Sequence, residues 1–217
     1  MSDLNEFYLE NFAIPNRILD SKIEKGNNYF IEYKYQFNDL YDIGIYGNYQ
    51  YGSTTGTPTF NQTDEFGNII ESFEGDFLLK ADAYGVGITT NWYINHLLKF
   101  QDRDSKLLNR LKLAIELSGG IGFAEVISDF RAPHPFTLAT SNSSFSSQDF
   151  QSQIALKLEC DYLQNPLIGT VGFKMGFQFY KTKTVKDKYD EGWIALEEPI
   201  NLDFSGLFGA VYIGFGK

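Results

Sequence analysis

Strict two-residue alternation runs through this chain and creates two unlike faces. Between Leu111 and Glu125, one face carries Leu111, Leu113, Ile115, Leu117, Ile121 and Phe123. The other carries Lys112, Ala114, Glu116, Ser118, Gly120, Gly122 and Ala124. A period of two marks a strand, whose side chains alternate across the sheet. An ordinary solvated face would be mostly long charged residues and Thr. This one mixes a few charges with Gly, Ala and Ser, as a narrow, crowded interior requires. The apolar face is broad and continuous. Together they describe a barrel turned inside out, with lipid outside and polar groups within.

The pattern recurs. Tyr29, Ile31, Tyr33, Tyr35 and Phe37 alternate with Phe30, Glu32, Lys34 and Gln36. Tyr41, Ile43, Ile45, Tyr49 and Tyr51 alternate with Asp42, Gly44, Tyr46, Asn48 and Gln50. Tyr84, Val86, Ile88, Trp92 and Ile94 oppose Gly85, Gly87, Thr89 and Asn91. Ile154, Leu156, Leu158, Cys160 and Tyr162 oppose Ala155, Lys157, Glu159 and Asp161. Val171, Phe173, Met175, Phe177 and Phe179 oppose Thr170, Gly172, Lys174, Gly176 and Gln178, and Leu207, Val211, Ile213 and Phe215 oppose Phe208, Ala210, Tyr212 and Gly214. Each run has the length of a tilted membrane strand, roughly 9–12 residues.

Bulk properties agree with an all-β, closed antiparallel transmembrane barrel forming one domain over residues 1–217. Aromatics make up 17% of the chain, enough for girdles at both membrane interfaces. No stretch of about 18 apolar residues supplies a transmembrane helix. A net charge of −10 argues against nucleic acid as a partner. Cys160, the single cysteine, falls on an apolar face, and nothing near it in sequence lowers its pKa. Met1-Ser2-Asp3-Leu4-Asn5 has neither the basic start nor the apolar stretch of a secretory signal. The outer membrane of a Gram-negative-type bacterium is the expected location, with an initiator Met standing where the signal was removed.

Connections sort into short and long. Asn38-Asp39-Leu40 and Asn165-Pro166 have tight-turn composition. Ser53–Asp76, Ser128–Gln151 and Thr182–Pro199 have loop composition. Short periplasmic turns and long outer loops are the asymmetry of outer-membrane barrels. Counting strands from that topology requires one more before Gly26, and Phe7–Ile14 is the candidate. The total is then about eight, even as a closed bacterial barrel needs. Asn95–Arg110 breaks the rule by being long and charged, and reads as an elongated turn.

Aromatics gather at strand ends. Tyr35, Phe37, Tyr41, Trp92, Tyr93, Tyr162 and Phe215 lie toward the short-turn end, and Tyr29, Tyr49, Tyr51, Phe123, Phe179 and Phe204 toward the long-loop end. Two girdles at the headgroup levels are expected. From about Phe7 to Phe215 the chain resembles the small outer-membrane β-barrels of the OmpA/OmpX/OmpW type. Gly206-Leu207-Phe208-Gly209-Ala210-Val211-Tyr212-Ile213-Gly214-Phe215 is similar to that family's closing strand with its final aromatic residue, although Gly216-Lys217 follow it. The resemblance carries architecture rather than an activity.

The inward faces collect Glu32, Lys34, Lys112, Glu116, Lys157, Glu159, Asp161 and Lys174. Charges in so narrow an interior must pair across strands, because an unpaired buried charge is costly. The expectation is a salt-bridged plug. For catalysis, only His96 and His134 are available, with Ser141, Ser143 and Ser144 near the latter. There is no nucleophile elbow and no His/Cys cluster with metal spacing, so no catalytic, cofactor or metal site is expected. The expected role is non-catalytic: a monomer in contact with outer-membrane lipid and lipopolysaccharide, serving membrane integrity, adhesion or surface interaction through its long loops. A second reading is a small-solute or hydrophobic-ligand channel past Gly85, Gly87, Gly120 and Gly122. A third is a soluble lipocalin-like carrier with its apolar face inward, although the chain lacks an early Gly-x-Trp strand motif.

Overall fold

The computed structural model describes residues 26–95, 110–134, 141–160, 170–192, 194–195, 198–199 and 201–214. They form an all-β fold. In chain order the strands are β1 (Asn27–Gln36), β2 (Tyr41–Gly56), β3 (Thr59–Thr63), β4 (Ile69–Glu74), β5 (Asp76–Tyr93), β6 (Leu111–Arg131) and β7 (Ser141–Cys160). Then come β8 (Thr170–Phe179), β9 (Lys181–Thr184), β10 (Ile194–Ala195), β11 (Glu198–Pro199), β12 (Asn201–Asp203) and β13 (Gly206–Gly214). A seven-stranded antiparallel sheet in the order β1-β2-β5-β6-β7-β8-β13 curls into a half-barrel. Small two-stranded sheets, β3-β4, β9-β12 and β10-β11, stand on the connections. Among the described residues no ladder joins β1 to β13. The candidate strand Phe7–Ile14, the turn at Asn165-Pro166 and most of Asn95–Arg110 lie outside the described residues.

The alternation sets which face turns inward. On β1, Tyr29, Ile31, Tyr33 and Tyr35 are exposed while Glu32 and Lys34 are half-buried within. On β7, Ile154, Leu156 and Leu158 point out, and Ala155, Lys157 and Glu159 are buried. The β1–β2 connection is as tight as expected. Asn38 Oδ1 accepts the backbone N–H groups of Leu40 (2.8 Å) and Tyr41 (3.1 Å).

Glycines permit the curl. A Cβ on Gly87 would lie 2.2 Å from the Gly119 carbonyl oxygen, and one on Gly120 would lie 2.1 Å from that of Val86. Gly44 and Gly176 meet neighbouring strands in the same way, at 2.3 Å from Tyr33 and 2.1 Å from Ile154. All four face inward, where bending a sheet brings neighbouring strands together.

Two of the segments with loop composition are largely strand. β2 continues to Gly56, β5 begins at Asp76, β6 runs to Arg131 and β7 begins at Ser141. The third, Thr182–Pro199, is partly paired: β9 meets β12, and Ser146 and Lys186 exchange backbone hydrogen bonds. Ser and Thr suit a pleated surface once a ladder gives their backbone a partner. Alternation also persists through this extension. Phe77, Leu79, Ala81 and Ala83 of β5 turn inward, as do Ala124 and Val126 of β6. With Tyr180, Val185 and Leu202 they form an apolar cluster flanked by Phe130, Phe145 and Phe204. The long-loop end is therefore closed by a small hydrophobic core of its own.

Two neighbouring glycines of β6 should respond in opposite ways. Gly120→Val should destabilise the protein by about 1–3 kcal/mol or more through overpacking. Gly119 faces outward, and a Cβ there meets only Phe150, at 3.4 Å. Gly119→Val should stay within about 0.5 kcal/mol of the parent protein, as surface changes do. Urea unfolding of both variants, followed by far-UV circular dichroism, checks the pair.

Candidate functional site

The inward faces build a polar column, and strand register sets its levels. At the short-turn end Asp42 of β2 stands opposite Asn91 of β5. Its carboxylate accepts the Asn91 side-chain amide at 2.8 and 3.0 Å, the Asn91 backbone N–H at 3.1 Å, and the Tyr93 hydroxyl at 2.8 Å. Glu159 of β7 lies across from Tyr93 and accepts the Tyr212 hydroxyl of β13 at 2.7 Å. Gly172 opens the space for that ring, since a Cβ there would fall 2.2 Å from Tyr212 Cζ.

The middle level holds the charges. Register places Lys157 of β7 directly opposite Lys174 of β8, a repulsive arrangement on its own. Two carboxylates from other strands resolve it. Glu116 of β6 lies 3.0 Å from Lys157 and 3.1 Å from Lys174. Glu32 of β1 lies 3.2 Å from Lys157 and also bonds Lys174. Lys34 completes the group, 2.8 Å from Glu32 and 3.8 Å from Glu116. Glu159 stands 3.7 Å from Lys157 and links this level to the one below. Glu116 and Lys157 are both 0% exposed. Rings close over the cations: Lys174 sits 4.1 Å from the Phe30 centroid and Lys157 4.7 Å from that of Tyr212.

Amides occupy the next level. Gln151 donates to the Tyr46 hydroxyl and to Asn48 Oδ1, each at 3.0 Å. Gln178 Oε1 accepts from Gln50 at 2.9 Å and from Gln153 at 3.1 Å. The notch left by Gly85 and Gly122 is filled. Gln151 Nε2 lies 1.7 Å from where a Gly85 Cβ would be, and the Tyr180 ring lies 2.5 Å from that of Gly122. Above Tyr180 the apolar cluster begins.

Of the charges singled out by sequence, Glu32, Lys34, Glu116, Lys157, Glu159 and Lys174 come together in this column. Lys112 stands opposite Glu159 in the β6–β7 ladder and is half-buried. Asp161 lies outside the described residues. Asp42 and Tyr212 join the network although sequence reasoning did not name them as site residues, and Tyr93 joins it although it was assigned to a girdle. Asp42 had the right inward phase and could have been found by treating every inward acid alike.

Most aromatics assigned to the girdles do face outward, among them Tyr29, Tyr35, Phe37, Tyr41, Tyr49, Tyr51, Trp92, Phe123 and Phe179. Tyr29, Tyr49 and Tyr84 stack in a row, with centroids 6.2 and 4.9 Å apart. Two assignments are corrected. Tyr93 turns inward, because it has the opposite phase to Trp92 and finds Asp42 there. Phe204 stacks on Tyr180 at 5.5 Å beside the apolar cluster, not on the outer belt. Tyr162 and Phe215 lie outside the described residues, as does His96. His134 is exposed, and Ser144 donates to Glu125 at 2.6 Å. Among the described residues no group of three His, Cys, Asp or Glu side chains is placed to hold a metal ion.

Compared with known protein families, curated proteins and solved structures, the chain matches none of them.

Lys157 tests how the column is held. Lys157→Met should cost about 3–5 kcal/mol, because it removes a buried cation shared by Glu32, Glu116 and Glu159 and leaves the network one positive charge short. Adding Glu116→Gln should recover a good part of that loss, since fewer charges are then left unpaired. Equilibrium unfolding of the two variants measures both effects, and equal stability of Lys157→Met and the parent protein would place these charges in water.

Proposed function

We propose that this chain is a non-catalytic integral membrane protein of a bacterial outer membrane, a closed antiparallel β-barrel with a charge-filled lumen. One observation carries the reading: exposed apolar side chains wrap a buried ionic interior. A soluble protein arranges these the other way round. Ile31, Tyr33, Ile45, Val86, Ile88, Leu117, Ile154, Leu156, Phe173, Met175, Leu207 and Val211 are all exposed. A patch of that extent is not left to water in a monomer. On β5 the belt runs from Tyr84 to Trp92, about the span a tilted strand needs to cross hydrocarbon. It ends where charge begins on the outer face: Lys80 lies 2.7 Å from Asp82, which accepts the Tyr49 hydroxyl at 2.8 Å. A carrier with an apolar lining needs the reverse phase.

Closure follows from parity. Every pairing from β1 to β13 is antiparallel, so the two edge strands run in the same direction. Joined directly they would pair in parallel, and left apart they would expose backbone to lipid, which is prohibitive. One added strand restores an antiparallel closed sheet of eight. Phe7–Ile14, which precedes β1, is the segment to supply it. Inward contacts agree with a slot one strand wide, about 10 Å. Phe30 on β1 and Phe208 on β13 bring their rings to 5.4 Å, each reaching in from its own edge. The lumen is a plug rather than a path, because Gln151, Tyr180 and the ion network fill it. Contact with lipid and lipopolysaccharide belongs to the belt, and contact with partners to the polar end, with the protein acting as a monomer.

Electrophoresis with and without boiling tests this. The folded protein should need detergent or lipid and should migrate differently before boiling. A monodisperse monomer in detergent-free buffer would overturn the membrane reading. Deleting residues 1–25 should abolish the mobility shift, and a shift that survives would overturn the eighth strand. Planar bilayers containing the intact protein should show no steady conductance, whereas a stable conductance proportional to salt would favour a channel.

A further inference from the structure

The β3–β4 hairpin projects beyond the Gly56–Phe77 end of the main ladder. Its base is anchored. Phe60 stands opposite Phe73 across the hairpin and packs on Phe130 at 5.6 Å, which in turn meets Phe77 at 6.3 Å. Gly75 fits beneath the Phe60 ring, where a Cβ would lie 2.9 Å from Cε2. Its N–H donates to the Pro58 carbonyl at 2.9 Å.

The tip is rigid as well. Asp64 Oδ1 accepts the N–H groups of Phe66 (2.9 Å) and Asn68 (2.8 Å), and Oδ2 accepts the Asn68 side-chain amide at 2.9 Å. Asp64 N–H donates to the Asn68 carbonyl at 2.9 Å, and Gly67 takes φ of 82° to close the turn. The Asn68 side-chain amide and these N–H donors hold the Asp64 carboxyl below the usual carboxylate range. The turn therefore keeps its bonds in mild acid and loses them only as pH falls through that lowered value.

This ordered turn presents apolar side chains to solvent. Phe66 is 87% exposed, with Ile69 and Ile70 beside it at 59% and 64%. An aromatic carried on a hydrogen-bonded turn loses little backbone entropy on being captured, which is the character of an interface anchor. The hairpin itself is of one sign, and Arg131, opposite Asp76 at its base, is paired with Asp129. From Ser53 to Leu79 the chain holds Asp64, Glu65, Glu71, Glu74 and Asp76 and no Lys or Arg. An anionic lipid or nucleic-acid surface is repelled by such a hairpin. A cation bridge is not what Asp64 is built for, since both its oxygens already accept hydrogen bonds within the turn. The fitting occupant is a protein whose apolar pocket is rimmed with basic side chains.

We propose that the β3–β4 hairpin is a docking knob for such a basic-rimmed protein partner, with Phe66 as the anchor. The knob rests on the membrane reading only for the side of the membrane it faces. Its test is independent of that reading.

The probe is a random-peptide library displayed on phage, panned against the intact chain in detergent. Selected peptides should combine Lys or Arg with an aromatic or aliphatic residue. Phe66→Ser should weaken their binding at least tenfold while leaving the electrophoretic behaviour of the folded protein unchanged, because the side chain touches nothing that holds the fold. Glu65→Gln with Glu71→Gln should weaken binding and flatten its salt dependence. Asp64→Ala, which keeps Phe66 but loosens the turn, should weaken it less than Phe66→Ser. No selected peptides, peptides without basic residues, or binding indifferent to Phe66→Ser would each overturn the knob. So would two other outcomes that assign Phe66 elsewhere: a dimer of the parent chain that Phe66→Ser makes monomeric, or tethering of protein-loaded vesicles to bare vesicles that Phe66→Ser abolishes.

Discussion

Two lysines forced to face one another, Lys157 on β7 and Lys174 on β8, set the condition that the rest of the fold must meet. Neither can reach water, and neither has a carboxylate as its direct ladder partner. Glu32 arrives from β1 and Glu116 from β6 to pair with both, and Glu159, on the same strand as Lys157, adds to the neutralisation of Lys157. β6 neighbours β7, but β1 is far from β7 and β8 in the sheet order, so the four groups meet only if the sheet curls. The ion network thus ties curvature to charge balance. Loss of one partner leaves its neighbours buried and charged, which is the costly state.

Small residues make that curvature sterically possible. Gly44, Gly87, Gly120 and Gly176 stand where a side chain would strike the next strand's carbonyl oxygen. Gly85, Gly122 and Gly172 give up volume that Gln151, Tyr180 and Tyr212 take. The interior is therefore filled by a few large polar side chains set against many glycines, and not by uniform packing. Along the axis its character changes from carboxylate–tyrosine bonds through ion pairs and amides to an apolar cluster. The cluster makes the sheet's extension at the long-loop end a rigid pedestal. The β3–β4 hairpin is held on that pedestal through Phe60, Phe130 and Phe77.

Period-two alternation made the strands, their inward and outward phases and most of the column's charges legible in the sequence. The reason is local: a side chain's face depends only on its parity within a strand. Glu32, Lys34, Glu116, Lys157, Glu159 and Lys174 follow from that rule. Tyr93 was misplaced because aromatic character was weighed over parity, although its neighbour Trp92 already held the outward phase. The strand extensions were missed because Ser and Thr are equally at home in a turn and in a ladder. Their choice between the two depends on a partner strand far away in sequence.

Partnership across the interior was beyond reach from sequence. Parity says that Lys157 points inward, but not that Glu32, more than a hundred residues away, will meet it at 3.2 Å. That meeting depends on register and on how far the sheet bends, quantities shared among several strands and recorded in none. The same holds for the notch that Tyr180 fills and for the aromatic stack beneath the hairpin. One-dimensional order dictates faces, lengths and the sign of charge along each strand. The curl, and with it every cross-strand pairing that neutralises a buried charge, belongs to the folded sheet, because only there do distant strands share one interior.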